Sequence, residues 1–191
     1  MQLLYRGSVK DLKGPVQAQG VPAVLFEYTD AYSVFDWGKM PDQLTRKGEA
    51  LAILAADWFE RIERPETWKD FSRSAEALGL RKGNRFGSAF NEVGEELGVR
   101  GLRPHYLGAV DGVLGDQISP VALSALRAPT RTIAVRQVSF VKPQFTTVLG
   151  RALPDYHPTR NAPSPRLVPL EVVFRFGLPE GSSLFERFER D

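Results

Sequence analysis

Cysteine is absent from the 191 residues. That excludes disulfides, thiolate nucleophiles and cysteine-ligated zinc together, and it accords with a reducing cytosol. The only two histidines, His105 and His157, stand at no metal-ligand spacing and read as packed or surface residues. Charge of one sign is also scarce. Lys and Arg number 25 against 23 Asp and Glu, a net +2 with no long run of either sign. A nucleic-acid partner would call for a basic face, so none is expected. No apolar run approaches the roughly 18 residues of a membrane span. The opening MQLLYRGSVKDLKGP meets charge and glycine too early for a secretory core, so no membrane partner is expected and the expected location is cytoplasmic.

What is present suffices for a core: 42% of the residues are hydrophobic, which at this length predicts one domain, with room for two lobes. VPAVLFEYTD, residues 21–30, reads as a strand. Before it, LLYRGSVKDLKGP suggests a strand, a bend at Gly7 and a return, which makes a small antiparallel sheet. KGEALAILAADWFERIE, residues 47–63, places Leu51, Leu54, Ala55, Trp58, Phe59 and Ile62 at helical spacing, with Pro65 beyond its end. Trp58, Phe59 and Trp68 read as core. Two further helical pieces, PETWKDFSRSAEALGL and GSAFNEVGEELG, follow. LRPHYLGAVDG and RTIAVRQVSFVKP read as strands, LGRALPDYHPTRNAPSPR as a proline-rich surface loop, and LVPLEVVFRF as a last strand.

Three clusters carry chemistry. In YRGSVKDL, Gly7 lets backbone N–H groups approach a phosphate and Lys10 adds charge there. The plain alternative is an ordinary hairpin with a surface lysine, since G-x-x-x-x-G-K is absent. In YTDAYSVFDWGKMPDQLTRKGEA, Lys47 and Gly48 open a helix. A lysine there is mildly unfavourable to the helix itself, which hints at a bound anion, although solvated lysines at such positions are common. In PLEVVFRFGLPEGSS, Glu171 and Arg175 share a strand face ahead of a Gly181-Ser182 turn. An arginine so placed grips a carboxylate or phosphate bidentately. The alternative is a surface ion pair worth little.

The order of these clusters resembles that of the SAICAR synthase (phosphoribosylaminoimidazole-succinocarboxamide synthase) family. Tyr5-Arg6-Gly7-Ser8-Val9-Lys10 matches its Tyr-x-Gly-Lys-Ala-Lys-like opening. Asp30, Ser33, Phe35, Asp36, Lys47-Gly48-Glu49 and Trp58-Phe59 match its second signature. Pro169 to Arg175, followed by Gly181-Ser182, matches its third. Residues 66–165 are left uncovered. Ser8 replaces the first lysine of the opening, and Pro179 lengthens the last turn, so Ser183 competes with Ser182.

The resemblance implies an α+β fold: a small antiparallel β-rich ATP lobe, like a kinase N-lobe, with helices, lacking most of the C-terminal lobe. Residues 1–165 would form the nucleotide-binding lobe with its helical insertion, and 166–191 the start of the substrate lobe. It further implies an ATP- and Mg²⁺-dependent ligase that joins L-aspartate to the carboxylate of CAIR to give SAICAR in purine biosynthesis. Gly7, Ser8, Val9 and Lys10 would line the ATP phosphates. Asp36, Lys47, Gly48, Glu171, Arg175 and Ser182 would serve the substrates. The chain would be the N-terminal portion of a longer enzyme, and apolar surface left bare where the second lobe docks would favour self-association into a homo-oligomer. A catalytically inactive nucleotide-binding or assembly module of the same descent is the alternative.

Overall fold

The computed structural model describes residues 1–34, 38–77, 85–112, 115, 117–168 and 177, and for 85–90 the helical backbone alone. The chain divides into two compact units, Met1–Gln137 and Val138–Asp191.

The first unit opens with β1 (Gln2–Arg6), β2 (Lys10–Ala18) and β3 (Val21–Tyr28). β1 and β2 are antiparallel, with Arg6 opposite Asp11, and β2 and β3 likewise, with Lys10 opposite Tyr28 and Leu12 opposite Phe26. The β2–β3 hairpin turns on Gln19 and Gly20, both at positive φ (52° and 81°). That is the backbone twist a two-residue hairpin favours. A short pair, β4 (Ala31–Val34) and β5 (Gly38–Gln43), leads to α1 (Lys47–Glu63). Then come α2 (Pro65–Ala77), α3 (Arg85–Arg100), β6 (Tyr106–Ala109), β7 (Gln117–Ile118) and β8 (Thr132–Arg136). The main sheet runs β1-β2-β3-β8-β6, all antiparallel, and β7 adds to β2 in parallel. The fold is therefore α+β, as expected.

Alternation along the strands gives the sheet two apolar faces. One gathers Val16, Ala18, Ala23, Leu25, Val110, Ile118 and Ala134. The other gathers Tyr28, Tyr106, Ile133 and Val135 against Ala52 and Ala56 of α1. Leu25, Ile133 and Val135 are the largest fully buried side chains, each contributing about 1.5–3 kcal/mol of burial.

α1 has the bounds read from the sequence, but its buried stripe differs. Gly48, Ala52 and Ala56 face the sheet, flanked by Leu51, Ala55 and Phe59, while Leu54 and Trp58 are 56% and 64% exposed. Leu54 and Trp58 each follow a buried alanine by two residues, about 200° around the helix. Trp58 is thus not core. The end of α1 is closed by its neighbours: Leu102 N–H and the Trp68 indole both donate to Ile62 O, at 2.9 and 2.7 Å.

In the second unit the proline-rich stretch is a loop only in its last part, residues 161–166. β9 (Gln144–Val148) and β10 (Arg151–Asp155) form a hairpin, followed by the single-turn α4 (His157–Arg160). Leu149 and Gly150 supply its turn at positive φ (51° and 77°). Pro154 lies opposite Phe145, a position alternate to the hydrogen-bonded closing pair, so its missing N–H falls on the outer edge. The strand expected over LVPLEVVFRF lies, from residue 169 onward, outside the described residues.

Candidate functional site

The turn between β1 and β2 is drawn tight. Gly7 N–H donates to Lys10 O at 3.1 Å, and a Cβ on residue 7 would stand 2.4 Å from that same oxygen. Only glycine fits, for reasons of contact rather than of φ. The turn is pinned from behind by Thr29, whose N–H and hydroxyl both donate to Val9 O, at 2.9 and 3.2 Å.

Over this turn lies a cavity of about 420 Å³, lined by Tyr5, Leu12 and Phe26 together with Gly7, Ser8, Val9 and Lys10. The Lys10 ammonium rests 4.4 Å from the centroid of Phe26 and 5.8 Å from that of Tyr28. Such placement over ring faces is electrostatically favourable for a cation. Burial of its stem and inner face holds the amine below the usual lysine range. Apolar surface beside a cation and a glycine turn suits a ligand that joins a flat apolar group to an anion.

Lys47 and Gly48 stand one step along the same strand end but do not line that cavity. Lys47 Nζ donates to Ala31 O at 2.7 Å and Thr29 O at 3.4 Å. These carbonyls give the ammonium of a lysine in the first turn of α1 two acceptors. Gly48 N–H donates to Asp30 Oδ1 at 2.8 Å, and a Cβ there would meet Tyr28 O at 2.5 Å. Asp30 therefore caps α1 from another element. The Gly48 N–H, and then the Arg131 guanidinium at 3.5 Å, hold its carboxyl below the usual aspartate value. Thr29 connects the two places, since its N–H serves the Val9 carbonyl and its own carbonyl receives Lys47.

Asp36, Glu171, Arg175 and Ser182 lie outside the described residues. For Mg²⁺, no three His, Asp or Glu side chains converge among the described residues, so no residue is assigned to the ion.

Two features escaped the sequence. His105 is not merely packed: its ring meets Phe26 at 5.8 Å and Phe59 edge-on at 5.1 Å, and Phe59 stacks on Tyr106 at 5.4 Å. Burial, and then the Lys10 charge, hold its imidazole below the usual histidine value. Further along, Glu60 Oε1 accepts the Tyr106 hydroxyl at 3.1 Å and Leu123 N–H at 2.8 Å. Burial and then the Glu60 charge push the Tyr106 phenol well above its usual value. Burial and the same Glu60 push the Glu63 carboxyl up. The signal available in sequence was the aromatic character of each residue, without the distance between them.

No family model matches the chain, and no solved structure matches it. Among the described residues no helix is long and apolar enough to cross a membrane. A protein of Archaeoglobus fulgidus named "Putative phosphoribosylaminoimidazole-succinocarboxamide synthase" is 30% identical over 187 residues, 96% of this chain. The likeness bears out the resemblance carried by the motifs and extends it through the middle they leave uncovered. Over almost its whole length the chain is similar to a protein named for SAICAR synthesis, and it spans 41% of that relative's length.

Proposed function

We propose that this chain is the ATP-binding portion of an ATP-dependent ligase of the SAICAR synthase type. The observation that carries the reading is the cavity over Gly7–Lys10, with apolar ring surface beside a cation for which no carboxylate partner occurs among the described residues. The base of ATP would lie against Tyr5, Leu12 and Phe26. The phosphates would meet the backbone of Gly7, Ser8 and Val9 and the Lys10 ammonium. Residues 1–165 would serve the nucleotide and 166–191 begin the substrate lobe, in a cytoplasmic enzyme.

A carboxylate is a poor acyl donor until one oxygen becomes a leaving group. Phosphorylation of the CAIR carboxylate by ATP supplies that, and the L-aspartate amine then displaces phosphate to give SAICAR. Mg²⁺ would enter with the phosphates and offset their charge. Asp36, Glu171, Arg175 and Ser182 would hold the substrates. Lys47 and Gly48, already bonded to Ala31, Thr29 and Asp30, would build the wall beside them.

The test is calorimetric titration with ATP and Mg²⁺, then incubation with CAIR and L-aspartate and detection of the succinylated product. Binding abolished by Lys10→Ala supports the site; no binding to the native protein ends the reading. A catalytically inactive nucleotide-binding module is favoured by one observation, Ser8 where the family pattern has lysine. Binding without turnover by the native, full-length protein decides for it.

A further inference from the structure

Lys10 and His105 are both exposed residues whose inner sides lie on one ring, Phe26. The row continues through Phe59 to Tyr106 and ends at the Glu60 carboxylate. Phe26 has Lys10 on one side, with His105 tilted at 56° to its ring, so the imidazole limits where that ring, and the ammonium on it, can go. We propose that His105 is a positioning residue for anion binding at the Gly7–Lys10 turn: it holds the ring that carries Lys10, and it takes up a proton when an anion occupies the turn.

The coupling is electrostatic and rests on the nucleotide reading above. Each element packed on His105 contributes as follows. From β2 comes the Lys10 ammonium. From β3 comes Phe26, with the Tyr28 phenol beyond it. From α1 comes Phe59; its neighbour Glu60 is engaged by Tyr106 and Leu123 N–H, and the Glu63 carboxyl is raised beside Glu60. From β8 comes the Arg136 backbone, whose N–H donates to His105 O at 2.7 Å. Among the described residues Lys10 is the charge that acts on the imidazole, and it disfavours the imidazolium. An anion paired with Lys10 cancels that repulsion, and a proton from solvent then binds His105. By linkage the anion is held more tightly as pH falls through the pKa of His105.

With only two histidines in the chain, the test is direct. The imidazole titrations of His105 and His157 are followed by NMR at low ionic strength, without ligand, with sulfate, whose charge is constant over this range, and with ADP. The expected result is an upward shift of about half a unit for His105 alone, equivalent to a gain in anion affinity that approaches about threefold as pH is brought from 8 to well below the pKa of His105. Lys10→Met is expected to abolish the shift and to raise the pKa of His105 in the free protein. His105→Phe, which keeps an aromatic ring in place, is expected to flatten the pH dependence of sulfate affinity. Sulfate and ADP that bind in a Lys10-dependent way while His105 titrates unchanged, or moves in step with His157, overturn the inference and spare the nucleotide reading. Failure of both ligands to bind overturns the two together. The wild-type titration needs no variant to fold.

Discussion

The Asp30 carboxylate receives the Gly48 backbone N–H at 2.8 Å, fastening the strand end after β3 to the first turn of α1. Because this bond and Arg131 hold the folded-state pKa of Asp30 below its usual value of 3.8, the stability it contributes is fully present above that value. It is lost as pH falls through the lower folded value. Asp30→Asn is expected to lower the melting temperature at pH 7, and the gap to wild type should narrow below about pH 4. A gap that stays constant down to pH 2 would count against the carboxylate as the cap.

Gly48 sits in a helix, where alanine ordinarily stabilises by up to about 1 kcal/mol. Here a Cβ meets Tyr28 O at 2.5 Å, so the helix start must shift. Gly48→Ala is expected to cost about 1–3 kcal/mol in urea denaturation, as overpacking does. A neutral or stabilising result would mean that α1 does not lie this close to the sheet.

The two stripes of α1 give opposite expectations. Trp58→Gln, at an exposed position, should change stability by no more than about 0.5 kcal/mol. Ala56→Leu, at a fully buried one, should cost about 1–3 kcal/mol. Equal costs for the two would place the tryptophan in the core after all.

At the other end of the ring row, the raised phenol of Tyr106 has a basic signature. Its contribution is present below the ordinary tyrosine value and is lost as pH climbs through the higher folded one. Tyr106→Phe should cost about 1 kcal/mol at pH 7 and should lessen the loss of stability that wild type shows above about pH 10, where the raised phenols of Tyr28 and Tyr32 also contribute. Chemical denaturation at pH 7, 9 and 10.5 separates the two.

Local pattern was enough for much of the fold. The α1 bounds followed from periodicity and Pro65, and the β1–β2 turn from Gly7. Periodicity could not choose between two apolar stripes on α1. Size favoured Leu54 and Trp58, whereas the close approach at Gly48 made small residues the buried ones. Composition hid the β9–β10 hairpin, because proline counts against a strand unless its missing N–H faces an edge. Within the candidate site, Gly7 and Lys10 are neighbours in sequence and could be read together. Asp30 and Arg131 are 101 residues apart, and the contact of His105 with Phe26 depends on the pairing of both β3 and β6 with β8, which no local spacing records.

The long helical excursion from Pro65 departs and returns at one spot. It leaves from the end of α1, and Gly101 comes back so near that a Cβ there would collide with Glu63 O at 1.9 Å. A chain that skipped it could rejoin the path to β6 across a gap of a few atoms. α2 and α3 thus leave the sheet and rejoin it at one place, the end of α1, apart from the strands that shape the cavity.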